Sequence, residues 1–174
     1  KENPNLKMGS TPLGGVYHQA IALLEKESGA KFSVVPFKGS PDENAALLGK
    51  HIDAQMNTMS VADQHIKQGT LRLLAVTSEK RLPEYPNVPT LKELGYNVVY
   101  GSWRAIAAPK GLPADVKAKL VDAFTKAYNS PEFQETAKKS QFEPFYRSAA
   151  DFDKHLKELY PKVEQVLSSM KIVK

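Results

Sequence analysis

Residues 9–15 read Gly-Ser-Thr-Pro-Leu-Gly-Gly and lie between a short apolar run and a predicted amphipathic helix. A turn of this composition at the start of a helix forms a cradle for an anion, because free N–H groups and the positive end of the helix dipole meet there. The segment lacks the lysine of a phosphate-binding P-loop and does not match the dinucleotide-binding fingerprint. It therefore favours a small carboxylate, and the alternative is a tight turn with Ser10 or Thr11 as the helix cap.

The composition is that of a globular protein. The chain has 174 residues, of which 41% are hydrophobic and 25% are charged, enough for one domain or two small lobes. It has no cysteine, which excludes disulfides and thiolate nucleophiles. Its net charge of +5 is spread thinly, without a basic stripe interleaved with aromatics. We therefore predict no nucleic-acid partner.

Strand and helix signals alternate over the first hundred residues and predict a mostly parallel sheet flanked by helices. The predicted strands lie at 6–8, 32–37, 52–56 and 71–76. The predicted helices span 16–26, Ser40 to about Leu48 with a capping box at Ser40–Glu43, Ser60 to near Gly69, and Thr90 to Gly95.

From Trp103 onward the pattern becomes mainly helical. One more strand is predicted over 103–108, followed by helices over 114–128, 131–139 and 149–170. A short extended piece is expected near 143–145. Pro161 falls inside the last helix and should kink or split it.

Three polar turns, at 9–15, 38–40 and 57–60, each connect a predicted strand to the following helix. In a parallel sheet such turns share the carboxyl edge, where open α/β folds bind ligands. We therefore expect a ligand site there. Its candidate residues are Ser10, Thr11, Gly14, Gly15, Lys38 and Asn57.

Each candidate is assigned by its chemistry. The hydroxyls of Ser10 and Thr11 would donate to a carboxylate, and the two glycines would offer N–H groups and close backbone approach. Lys38 would add positive charge, and Asn57 can both donate and accept, which suits a water-bridged ligand. His18 is expected to be a structural histidine that orients the turn.

An ordered series of motifs resembles the tripartite tricarboxylate transporter substrate-binding proteins, also called Bug-type receptors, from Asn3 to about Lys174. The motifs are Gly9-Ser10-Thr11 with Gly14 and His18, Val35-Pro36-Phe37-Lys38-Gly39, Leu47-Leu48-Gly49 with Asp53, Ile66 with Gly69-Thr70-Leu71-Arg72, Leu74-Ala75-Val76-Thr77-Ser78, Arg81, Val88-Pro89-Thr90, Glu93-Leu94-Gly95, Ser102-Trp103 and Ala108-Pro109. Two positions depart from the family pattern: Pro12 stands where glycine is common, and Phe37 stands where tyrosine is common.

The resemblance implies a type II periplasmic-binding-protein-like α/β lobe. It implies a periplasmic receptor that captures a small organic acid or amino acid for a membrane permease, without catalysis and without a cofactor. Residues 1–103 would form the second, ligand-binding lobe of the family. Residues 104–174 would form a return segment and C-terminal helices, and the first lobe would be largely missing.

Two other functions stay open at this stage. Ser10 and His18 can be imagined as the nucleophile and base of an esterase-like hydrolase, although no supporting acid is identifiable. The chain can also be a structural fragment without a ligand of its own. No metal site is predicted, because no two of the four histidines have metal-ligand spacing.

Two of the C-terminal helices carry apolar faces that would lack a partner if the first lobe is missing. The faces comprise Val116, Leu120, Ala123 and Phe124 in one helix, and Phe152, Leu156, Leu159, Val163 and Val166 in the other. Exposed apolar stripes of this size are commonly covered by association. The sequence therefore predicts a dimer or a domain swap.

Overall fold

A three-stranded parallel sheet organises the N-terminal part of the chain. The computed structural model describes residues 5–140 and 145–170. β1 (Lys7–Ser10) is central, with β2 (Ser33–Pro36) on one side and β3 (Ala54–Gln55) on the other. Gly9 lies opposite Val35 of β2 and Gln55 of β3. The three strands predicted here are confirmed, and so is their parallel arrangement.

A helix follows each strand, and three more helices follow later in the chain. They are α1 (Val16–Ser28), α2 (Ser40–Leu48), α3 (Met59–Lys67), α4 (Ala114–Tyr128), α5 (Pro131–Lys139) and α6 (Ala149–Ser169). Each corresponds to a predicted helix. The predicted split at Pro161 does not occur, because α6 continues through that residue. The extended piece expected near 143–145 falls mostly outside the described residues.

The N-terminal caps of two helices differ from the prediction. Ser40 is the first residue of α2 and Gly39 is its cap, while Thr58 rather than Ser60 caps α3. By contrast, serine caps form at two helices later in the chain. The N–H of Phe133 donates to Ser130 Oγ at 3.2 Å, and the N–H of Asp151 donates to Ser148 Oγ at 3.1 Å.

Two predicted strands and one predicted helix do not form. Of the apolar run 71–76, only Val76 pairs, in a single parallel bridge with Thr90, and residues 103–108 are exposed and unpaired. The capping box at Thr90 and Glu93 makes both of its reciprocal bonds, yet residues 91–95 form only a turn. Apolar composition favours a strand only where a neighbouring strand supplies the hydrogen bonds.

The chain divides into two compact units. One contains the residues up to Ser102 together with those from Lys162 onward, and the other contains Trp103–Pro161. The first unit has a buried core that includes Met8, Ile21 and Ile52. In the second unit, α4 buries none of its residues, and Trp103 packs edge-on against Phe152 with ring centroids 5.0 Å apart. The predicted domain division at 103/104 stays a prediction.

Gly9, in the middle of β1, has no room for a side chain. A Cβ atom there would lie 2.6 Å from Ile52 Cδ1 and 2.9 Å from Glu43 Oε1. We expect Gly9→Ala to lower the free energy of unfolding by roughly 1–3 kcal/mol, the usual effect of overpacking a core. Urea denaturation followed by circular dichroism measures this.

Gly39→Ala is the matched control for Gly9→Ala. Gly39 has an extended backbone, and an added Cβ would meet only Pro41 Cδ at 3.6 Å, an ordinary contact. This variant should unfold at the wild-type urea concentration or slightly above it. Equal midpoints for both alanine variants would contradict the packing described around Gly9.

Candidate functional site

The three polar turns emerge at one edge of the sheet, as predicted. Beyond β1 and β2, the N–H of Phe37 donates to the carbonyl of Ser10 at 2.9 Å. Beyond β3, Asn57 Nδ2 donates to Ser40 Oγ at 3.1 Å, which joins the turns before α3 and α2. We refer to residues 10–16, 38–40 and 57–58 together as the edge site.

The buried carboxyl group of Glu43, in α2, contacts the edge site. Its side chain is 0% exposed, and Asn57 Nδ2 donates to its Oε2 at 2.7 Å. The side chain of Thr11 also stabilises the ionised form of this carboxyl. Burial raises the pKa of Glu43 to about 7, although the interactions with Asn57 and Thr11 lower it. Near neutral pH the group is therefore present in both protonation states.

This carboxyl changes the roles expected of the polar side chains. Asn57 directs its donor inward to Glu43 rather than outward to a ligand. Ser10 is 0% exposed, and its Oγ has no hydrogen-bond partner among the described residues. Ser10 and Thr11 are both buried, with Ser10 0% and Thr11 8% exposed. Direct ligand contact by Ser10, Thr11 or Asn57 stays a prediction.

The N–H groups of the two candidate glycines are already bonded. The N–H of Gly14 donates to His18 Nδ1 at 3.0 Å, and the N–H of Gly15 donates to the carbonyl of Pro12 at 2.9 Å. Burial lowers the pKa of His18, which favours the neutral ring that can accept this bond. The two glycines thus shape the turn, and their contact with a ligand stays a prediction.

Other donors of the edge site remain available to a ligand. Within the described residues, the N–H groups of Leu13 and Val16 donate no hydrogen bond. Leu13 is 55% exposed, and Val16 is the first residue of α1, where the helix dipole is positive. The side chain of Lys38 is exposed at the same edge. Two backbone donors and one cation suit a small anion.

Sequence reasoning missed Glu43 as a functional residue. The spacing of Ser40 and Glu43 matches a capping box, in which the glutamate would reach back to the cap N–H. In the structure Gly39 is the cap, and Glu43 turns to Asn57 instead. One signal was present: the position three residues after Ser40 also lies on the side of α2 that must pack on the sheet.

The geometry of a hydrolase does not form at Ser10 and His18. The Oγ of Ser10 has no hydrogen-bond partner in the part of the chain that the structure describes, and Nδ1 of His18 accepts from the N–H of Gly14. Across residues 5–140 and 145–170, no three histidine or acidic side chains cluster in a way that would hold a metal ion. In the same residues, no helix combines the length and the apolar character needed to cross a membrane.

The sequence matches a known family along almost its whole length. The family described as "Tripartite tricarboxylate transporter family receptor" matches residues 1–172. A Cupriavidus necator relative, "UPF0065 protein in gbd 5'region", is 36% identical over 180 aligned positions, which cover 100% of this chain and 53% of the relative. The chain thus spans about half the length of this curated relative.

Two solved structures share the fold. A TctC solute binding protein from Polaromonas aligns with a TM-score of 0.83 and 27% identity, covering 95% of this chain and 57% of that chain. An R. palustris protein solved with adipate aligns with a TM-score of 0.73 and 25% identity, covering 94% of this chain and 55% of that chain. The predicted α/β lobe of the periplasmic-binding-protein type is confirmed by this likeness.

Proposed function

Because the chain belongs to the tripartite tricarboxylate transporter receptor family, we propose that the protein is a periplasmic receptor that binds a small organic acid and delivers it to a membrane permease. It binds its ligand without chemical turnover. The adipate in the R. palustris structure supports a carboxylate as the ligand class. An amino acid, which carries the same carboxylate, is the second ligand candidate.

The convergence of the three turns is the observation that carries this proposal. A carboxylate over the turn 11–16 accepts from the N–H groups of Leu13 and Val16 and lies near the exposed Lys38. Hydrogen bonds to a charged group contribute about 1.5–3 kcal/mol each. Asn57 and Thr11 interact with the buried carboxyl of Glu43. Gly14 and Gly15 fix the shape of the turn.

Isothermal titration calorimetry with succinate, adipate, citrate and glutamate tests the proposal. The full-length gene product and the 174-residue chain are both titrated, and hydrolysis of an activated ester is assayed alongside. We expect saturable binding of at least one carboxylate and no ester turnover. Ester turnover that disappears in Ser10→Ala would favour the hydrolase instead. Absence of binding in both proteins would favour a structural role.

A dimer or domain swap of this chain remains part of the proposal. The apolar face of α4 is open to solvent: Val116 is 38% exposed, Leu120 39% and Phe124 44%. Association removes such a face from water. We expect sedimentation velocity to give twice the monomer mass at micromolar concentration, and Leu120→Glu to restore the monomer. A monomeric mass for the unmodified chain would contradict this expectation.

A further inference from the structure

We propose that Glu43 couples ligand binding at the edge site to the uptake of a proton, so that the receptor takes carboxylates with Glu43 in its uncharged form. This inference rests on the proposed function and adds a specificity-determining residue to it. It predicts a preference for anions that strengthens as the pH falls.

The first support is the position of the carboxyl group. Glu43 is completely buried, and it contacts Asn57 and Thr11, which belong to two of the three turns of the edge site. An anion that binds over these turns therefore lies on a turn whose Asn57 side chain is bonded to a buried carboxyl group. The two acidic groups repel each other if both are ionised.

The second support is a pair of buried oxygens without partners. Neither Glu43 Oε1 nor Ser10 Oγ has a hydrogen-bond partner among the described residues. An ionised carboxylate can only accept hydrogen bonds, whereas a protonated carboxyl can also donate one. Protonated Glu43 therefore adds a hydrogen-bond donor in addition to the hydroxyl of Ser10 and carries no buried charge. This uncharged form tolerates an anion nearby.

Within residues 5–140 and 145–170, no buried cation neutralises Glu43. Segments 8–16 and 54–62, which flank it, contain no ionisable side chain. The titratable groups on the surrounding elements are exposed or engaged elsewhere: Lys38 and Asp42 are exposed, Asp63 pairs with Lys67 at 2.7 Å, Asp53 accepts from the N–H of Lys7, His65 contacts Thr70, and His18 accepts from Gly14. An ionised Glu43 therefore repels an anionic ligand, because no neighbouring cation among the described residues neutralises its charge.

The size of the coupling follows from the protonated fraction. With a pKa of about 7, Glu43 is mostly protonated at pH 6 and mostly ionised at pH 8. If only the protonated form binds, the apparent affinity falls about tenfold between these two pH values. By reciprocity, binding raises the pKa of Glu43, so about half a proton is taken up per ligand at pH 7.

Calorimetry of adipate binding in two buffers with different ionisation enthalpies measures the proton directly. We expect net uptake at pH 7 and about tenfold weaker binding at pH 8 than at pH 6. Binding with no proton change, or with proton release, would overturn the coupling and leave the proposed receptor function standing. Release would mean that the ligand displaces Glu43 into solvent. Failure of every carboxylate in the panel to bind would overturn the proposed function itself.

Two variants separate the coupling from a structural role. Glu43→Gln keeps the size of the side chain and an acceptor for Asn57, and its adipate affinity should be the same at pH 6 and pH 8. Asp42→Asn removes the neighbouring exposed carboxyl on α2 and should keep the wild-type pH dependence. A pH-dependent Glu43→Gln protein would contradict the proposal. If that variant fails to fold, the two-buffer measurement on the unmodified protein still decides.

Discussion

Val16→Pro should weaken carboxylate binding roughly tenfold to hundredfold, the effect of removing one hydrogen bond to a charged group. Val16 is the first residue of α1, and proline at this position removes the N–H without breaking the helix. The preceding Gly15 has φ −70° and ψ 177°, an extended conformation that a residue before proline adopts readily. Calorimetry with adipate measures the change.

Ala114→Pro is the matched control for Val16→Pro. Ala114 is the first residue of α4 and also follows an extended cap residue, Pro113. The two variants introduce the same residue at the same helical position, but only the first removes a donor of the edge site. Equal affinities for the two variant proteins would show that the N–H of Val16 does not contact the ligand.

Glu43→Gln should stabilise the protein at alkaline pH. The pKa of Glu43 is raised from 4.5 to about 7 on folding, so the wild-type side chain favours the folded state most below pH 4.5. That advantage is lost as the pH rises through about 7. Glutamine has no charge to bury, so the stability difference in its favour should grow by about 2 kcal/mol between pH 5 and pH 8.

Urea denaturation of the wild-type and Glu43→Gln proteins across this pH range measures the difference. Asp42→Asn serves as the control, since this exposed carboxyl lies next to Glu43 on α2. The control should show no comparable gain at pH 8. If the free energies of unfolding of the wild-type and Glu43→Gln proteins changed in parallel with pH, the pKa of Glu43 would not be raised on folding.

Local signals in the sequence predicted most of the helices. The capping-box pattern and the proline near the start of α2, for example, lie within a few residues of the helix start. The prediction of strands at 71–76 and 103–108 was wrong, because apolar composition does not show whether a neighbouring strand is available for pairing. Of these segments only Val76 forms a bridge, with Thr90.

The sequence predicted where the site lies, but not the direction in which its polar side chains point. Parallel topology puts the three turns at one edge whatever their side chains do. The direction of Asn57 depends on Glu43, which lies in a different element and whose spacing from Ser40 imitates a capping box. Local spacing does not determine a tertiary contact of this kind, so the sequence did not predict that Asn57 faces Glu43.

Amide chemical-shift mapping tests the central claim, that a small carboxylate binds over the edge site. The labelled protein is titrated with adipate at pH 6, and each backbone N–H reports on its own surroundings. We expect the largest shifts at Leu13 and Val16, followed by residues 38–40. Saturable shifts confined to other parts of the chain, with Leu13 and Val16 unchanged, would contradict it.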